Sequence, residues 1–483
     1  MSAAAEFPES FVGPWMDRLR THAHRQVDDF PSYHASHPEV LITTSVPRAL
    51  YVGTGVSIFT RAILPAILNA KHSVHFVTCY WAPSQTLDNL AEALEKLAES
   101  RLQTPDAPPL KITIGFSSRS LLQKLLHTSS RHGHVYPSFE WPKLGLPNES
   151  VLTNARIDMT VKSLFFTPFS VMHPKYLVVD GARAWVPSCN VSWERWFEGC
   201  VEVEGDVVRQ LLTFHDSVWD GQGSADSPFG VTNPLPAAMP TTSRSNKRAS
   251  LHSGGLGMSA TQSLKFSAAQ PVPTIFLPSS HHRNPHFSLF PFLSQSNPPM
   301  TPLNAALLTL FENAQSNISI VTPNVTSWPV LEALLAALAR GVDVEIRTSR
   351  SMMVLEQLVT ACTTTAWCLD RFISKYKAQV NAKPKLNDPE APSIGTGRLD
   401  ILYYKPLESR LAEDDEPVLS HFKMTMVDDE YLVLGSGNMD RASWWTSQEI
   451  GILFYVPDFE GRQLWEGVLE RRAEYVFRSA DLY

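Results

Sequence analysis

Two stretches of the chain carry the same reactive residues in the same order, so the fold must contain two similar halves. Residues 171–190 read VMHPKYLVVDGARAWVPSCN, and residues 419–438 read LSHFKMTMVDDEYLVLGSGN. The first holds His173, Lys175, Asp180, Ser188 and Asn190; the second holds His421, Lys423, Asp428, Ser436 and Asn438. The offset is 421 − 173 = 248 at all five positions, without a gap. One His-x-Lys is a common accident. Two copies with matched Asp, Ser and Asn are not.

The repetition extends upstream. Residues 73–78 (SVHFVT) resemble 317–322 (NISIVT), and each precedes a helical pattern, DNLAEALEKLAESR in one half and PVLEALLAALARG in the other. Each helix leads to a strand-like run, LKITIGF at 110–116 and VDVEIRT at 342–348. Strand, helix, strand on this spacing predicts a parallel βαβ unit in each half. Gly341 fits the position just past the second helix. The expected organisation is an N-terminal arm (1–45), a first domain (46–221), a Ser/Pro/Gly-rich linker or insertion (222–300) and a second domain (301–483). The aromatic run at 286–293 reads as a patch docking back onto a domain, the two histidines at 281–282 as solvated, and 380–397 as a loop.

Each motif folds on paper as a hairpin, because strand-like residues run into turn residues at Asp180-Gly181 and Asp428-Asp429. A two-residue turn sets His173 opposite Ser188 and His421 opposite Ser436, with Lys and Asn on the same face. Each half then presents an imidazole, an ammonium, a hydroxyl and a carboxamide on one surface. Imidazole serves as nucleophile, acid or base near neutral pH. Lys, Asn and Ser donate hydrogen bonds to phosphoryl oxygens. Asp180 and Asp428 point away from this set, which implies a structural role.

These residues resemble the phospholipase D superfamily, whose signature is H-x-K-x4-D-x6-G-[ST]-x-N in two copies. The second copy fits throughout, Gly435 included; the first has Pro187 in place of that Gly. The resemblance implies an α/β fold of two pseudo-symmetric phospholipase D-like α/β/α domains. Each has a mixed, largely parallel sheet flanked by helices, and the two share one active site at their interface. It implies a phosphodiesterase or phosphatidyltransferase working through a covalent phosphohistidine. His173 would be the nucleophile and His421 the acid and base. Lys175, Lys423, Asn190, Asn438, Ser188 and Ser436 would bind the phosphate. A glutamate after each Asn would bond a catalytic His, with Glu449 as one candidate and Glu202, with Glu204 as fallback, as the other. Asp180, Asp428 and Gly435 would be structural. No cofactor is implied, and the sequence offers no metal-ligand cluster.

Composition narrows the substrate. With 41 Lys and Arg against 48 Asp and Glu, the net charge of −7 gives no global basic field for a long polyanion. A phospholipid met at a membrane surface is the expected substrate, a nucleic-acid phosphodiester the alternative, and a degenerate non-catalytic scaffold the third reading. Trp193, Trp196 and Phe197, with Trp444 and Trp445, line an acyl or headgroup entrance or else pack in the core. Trp196 and Trp444 each stand six residues after their Asn. No apolar run is long enough to span a membrane. The N-terminal residues lack the basic-then-apolar order of a signal peptide, so an intracellular protein, cytoplasmic or peripheral to a membrane, is expected. Five scattered cysteines predict free thiols rather than a disulfide framework. Oligomeric state is left open; one chain suffices for a complete site.

Overall fold

The computed structural model describes residues 6–23, 29–104, 106–120, 123–124, 132–166, 170–220, 259–266, 270–282, 297–382, 395–456 and 465–482. The aromatic run at 286–293 and most of the expected 380–397 loop lie outside these residues.

The first half is built on β1 (Ile42–Gly53), β2 (Ser73–Tyr80), β3 (Leu110–Ser118), β4 (Ile157–Ser163), β5 (Tyr176–Val179), β6 (Arg183–Pro187) and β7 (Trp196–Glu204). Their order across the sheet is β4-β3-β2-β5-β6-β7-β1, with β2, β3 and β4 parallel and the remaining pairings antiparallel. The second half repeats this with β8 (Val272–Ser279), β9 (Asn317–Val321), β10 (Asp343–Thr348), β11 (Leu399–Tyr404), β12 (Met424–Val427), β13 (Tyr431–Gly435) and β14 (Glu449–Tyr455). The order β11-β10-β9-β12-β13-β14-β8 matches it strand for strand. β1 and β8 pair with each other, Ile42 opposite Ile275, so the two sheets run into one.

That pairing corrects the expected boundaries. The second half begins with β8, inside the stretch read as a linker. Prolines 273 and 278 punctuate the strand at both ends, which made it resemble irregular chain. The histidines that follow are not solvated. His281 and His282 are both buried, and His282 Nδ1 lies 2.7 Å from Asp29 of the N-terminal arm.

The helices follow their caps and apolar periods. α2 (Gln85–Leu102) starts where the Ser84 hydroxyl accepts from the Leu87 N–H, and it buries Leu87, Leu90, Leu94 and Leu97. α3 (Pro302–Asn313) is capped by Thr301, and α4 (Trp328–Ala339) ends at Gly341 with φ +95°. The N-terminal arm contributes α1 (Glu9–His22), which packs on α3 and donates a hydrogen bond from Trp15 Nε1 to Pro302 O at 3.2 Å. One apolar core runs from Val178 and Phe197 of the first half to Phe422 and Ile452 of the second. Another lies between the first sheet and α2. No helix among the described residues is long and apolar enough to cross a membrane. All five cysteines are free.

Both motif hairpins turn through three residues, not two. Val179 pairs with Arg183, and Val427 with Tyr431. Asp180, Gly181, Asp428 and Asp429 take positive φ there, a conformation open to Gly and tolerated by Asp. The expected opposition of His173 to Ser188 and of His421 to Ser436 is therefore shifted by one.

The same turn gives the aspartates their place. Asp180 accepts the backbone N–H groups of Lys71, His72 and Ser73 at 2.7–3.2 Å. Asp428 accepts those of Gln315, Ser316 and Asn317 at 2.7–3.1 Å. Each carboxylate thus ties the motif hairpin to the start of the neighbouring central strand. Asp180→Ala is expected to lower stability by about 2 kcal/mol, since charge-assisted bonds are lost from partly exposed donors. Urea denaturation measures it; an unchanged midpoint would refute the role.

Candidate active site

Each motif histidine leaves its own sheet and reaches into the other half. The chain breaks from strand geometry at residues 173–175, where the His173 N–H donates to Gln448 O at 3.0 Å. Correspondingly, the His421 N–H donates to Phe197 O at 2.9 Å. The residue after each of these carbonyls is a glutamate. His173 Nδ1 lies 2.8 Å from Glu449 Oε2, and His421 Nδ1 lies 2.8 Å from Glu198 Oε1. The halves thus exchange glutamates, and neither site is complete without the other.

Glu198 is the residue that sequence reasoning missed, and Glu202 is corrected by it. Glu202 lies four residues further along β7, roughly 13 Å at strand spacing. It accepts from Tyr51 Oη at 2.9 Å and Arg183 Nη1 at 3.0 Å instead. Glu204 pairs with Arg48 and Arg183. Counting from each His hid the match, because the second half inserts a short helix, Arg441–Trp445, between Asn438 and Glu449. Asn-to-Glu spacing is 198 − 190 = 8 in one half and 449 − 438 = 11 in the other. The usable signal was that each glutamate stands at the head of the apolar run after its Asn.

The serines also take another place than expected. Ser188 Oγ donates to Glu198 Oε2 and accepts from the Gly199 N–H at 2.9 Å. Ser436 Oγ donates to Glu449 Oε2 and accepts from the Ile450 N–H at 3.0 Å. A hydroxyl has one proton. Here it holds the glutamate, so these serines are not phosphate donors in this arrangement. Pro187 leaves this geometry intact: the Ser188 N–H donates to Gly199 O at 2.8 Å, as the Ser436 N–H does to Ile450 O at 2.9 Å. Gly435 is needed in its half, since a Cβ there would sit 2.2 Å from Ile450 O.

Lysines and asparagines complete the set. Lys175 and Lys423 are buried and donate to the carbonyls of His173 (2.8 Å) and His421 (2.6 Å). Lys423 Nζ also lies 2.8 Å from His421 Nε2. The Tyr80 N–H donates to Asn190 Oδ1 at 3.2 Å, which fixes that amide. Asn438 Nδ2 donates to Asp440 at 3.0 Å, while its buried Oδ1 has no partner among the described residues. Trp196 lies against His421, ring centroids 4.8 Å apart. Trp444 is buried in the inserted helix and is not the counterpart of Trp196, despite the equal spacing.

Electrostatics follow from burial and the exchanged pairs. Burial pushes both imidazoles down, His421 to about 3, while the glutamate facing each one opposes the shift. Burial alone would raise Glu198 and Glu449, but His421 and His173, with a lysine beside each, hold both below the usual carboxylate range. Burial brings Lys423 down to about 7. The resting state is an ionised glutamate accepting from a neutral imidazole at Nδ1, which leaves the lone pair on Nε2.

Residues 307–464 match the family described as cardiolipin synthase, phospholipase D-like domain. The matched segment holds the second motif, and the phospholipase D-like match is to that part of the chain. No curated protein sequence matches the chain. Among solved structures, phosphatidylserine synthase from Haemophilus influenzae is similar over 91% of this chain and 90% of its own, with TM-score 0.53 and 15% identity. Polyphosphate kinase from Porphyromonas gingivalis aligns with 89% of this chain and 49% of its own, at TM-score 0.45 and 10% identity. The phospholipase D family member Nuc from Salmonella typhimurium covers 36% of this chain and 89% of its own, at TM-score 0.25 and 16% identity. In this chain the paired motifs meet through reciprocal His–Glu contacts, and the fold places both at one interface.

Proposed function

We propose that this chain cleaves or transfers the phosphatidyl group of a phospholipid through a covalent phosphohistidine, without a metal. The reading rests on the exchange of glutamates between the halves, which sets two neutral imidazoles and two buried lysines at one interface. The match to a cardiolipin synthase-type domain supports a phospholipid as the substrate.

His173 Nε2 carries no hydrogen bond among the described residues, whereas His421 Nε2 is covered by Lys423. That asymmetry supports His173 as the nucleophile. Its lone pair attacks phosphorus while protonated His421 gives its proton to the leaving alkoxide. Burial alone disfavours that imidazolium. The arriving phosphodiester anion and Glu198 both favour it. Neutral His421 then takes a proton from water or an alcohol, whose oxygen displaces His173 from phosphorus. Lys175, Lys423 and Asn190 would stabilise the charge on the equatorial oxygens.

Incubation with mixed fluorescent phospholipids, a primary alcohol and EDTA tests this directly. A phosphatidyl-alcohol made by the native chain is expected. Its pH profile should be bell-shaped: activity rises as His173 loses its proton and falls as His421 loses its own. Absence of lipid turnover, with cleavage of single-stranded DNA or RNA instead, would overturn the phospholipid reading.

A further inference from the structure

One helix at the site has its polarity reversed. α5 (Val354–Ala361) buries one side chain, Gln357, and it is polar. Gln357 Oε1 accepts from the Thr365 N–H at 2.6 Å and from Thr365 Oγ1 at 3.0 Å, which fastens α5 to the start of α6 (Thr365–Ala382). The apolar residues face outward: Leu355 is 76% exposed, Leu358 and Val359 47% each, and Val354 36%. Positions 354, 355, 358 and 359 share one helical face, so they form a continuous ridge. In water such a ridge is unfavourable, and a contiguous exposed apolar patch marks an interaction surface.

The placement of α5 identifies what it meets. Thr365 Oγ1 accepts from the Val325 N–H at 3.0 Å, and Val325 bridges to Met439, next to Asn438. Glu356 of α5 lies in the field of Lys124 and Lys175 from the first half and of Asp440 and Glu449 from the second. α5 therefore stands beside the second motif, close to Asn438. Positive φ at Ser351, Met353 and Cys362 turns the chain sharply at both ends of the helix, which sets it apart from the body. Beside it, Trp367 is half-exposed, with Arg371 4.9 Å from its ring and Lys375 5.1 Å from the ring of Trp328. Apolar side chains flanked by Trp, Arg and Lys match the depth profile of a lipid surface, with the ridge among acyl chains and the cations among anionic headgroups.

We propose that α5, with the Trp367–Arg371 shoulder, docks on an anionic bilayer and brings the site onto the phosphodiesters of membrane lipids. The assignment of the bilayer as partner rests on the phospholipid reading above. The test is flotation of the full chain with phosphatidylcholine vesicles, with and without phosphatidylglycerol, beside Leu355→Glu/Leu358→Glu and Arg371→Glu. The native chain should float with anionic vesicles. The double variant should lose about tenfold or more in partitioning, from two lost apolar insertions, and Arg371→Glu should lose the preference for phosphatidylglycerol. Turnover of vesicle lipid by the double variant should fall in step, while turnover of a monomeric short-chain phospholipid stays unchanged. Vesicle binding that is absent in the native chain or unaffected by the double substitution overturns the proposal. So does a native dimer that the double substitution dissociates, because the ridge would then be covered by a second copy. Native vesicle binding lost in the double variant, with no phospholipid turned over, upholds the docking surface and refutes the phospholipase reading.

Discussion

His421→Asn keeps the fold and loses about three orders of magnitude in turnover of phospholipids, the usual scale for removing a general acid. His173→Asn loses at least as much, because nucleophile and acid act as one unit and either loss removes the pathway. The two differ in what rescues them. A p-nitrophenyl phosphodiester has a leaving group that needs no protonation. With it, the first step in the His421→Asn protein recovers, while His173→Asn stays inactive. The second step still lacks its base, so the phosphorylated enzyme accumulates. Mass spectrometry after acid-free digestion should find the phosphoryl group on the peptide containing His173. An adduct on His421, or rescue of His173→Asn by the activated substrate, would reverse the two roles.

Much of this was legible in the chain because the reactive residues recur at one fixed offset. His, Lys, Asp, Ser and Asn all fall 248 apart, and the strands and helices ahead of them keep the same order. Local signals sufficed for the turn at Gly341. Contacts between the halves were not legible. Glu198 serves a histidine 223 residues away, and the inserted helix Arg441–Trp445 breaks the count that would have found it. β8 was hidden for a different reason. Its core, Ile275, Phe276 and Leu277, is a short apolar run between prolines. Only long-range pairing with β1 and β14 makes it a strand. The same limit applies to Ser188 and Ser436: residue type suggested phosphate donors, and only the fold shows each hydroxyl committed to a glutamate.

Glu198→Gln and Glu449→Gln should alter opposite limbs of the pH profile, and this is the sharpest test of the exchange between halves. An amide of the same shape can still accept from Nδ1, so the fold is retained, but it no longer supplies negative charge. Glu198 raises the affinity of His421 for its proton. Without that charge the imidazolium is harder to form, so the alkaline limb moves to lower pH. Turnover at pH 7 falls by about two orders of magnitude, as less of the acid is present and its orientation loosens. Glu449 does the same for His173. There the neutral form is the active one, so its loss moves the acid limb to lower pH. Turnover at pH 7 falls less, through loss of the fixed Nδ1–H tautomer. Glu202→Gln, which touches only Tyr51 and Arg183, should leave both limbs in place. Measuring kcat against pH for the three variants, which reports the enzyme–substrate complex, separates the cases. If Glu449→Gln moved the alkaline limb and Glu198→Gln the acid limb, either each glutamate would serve the histidine of its own half or the roles of His173 and His421 would be reversed. The position of the covalent adduct then decides which.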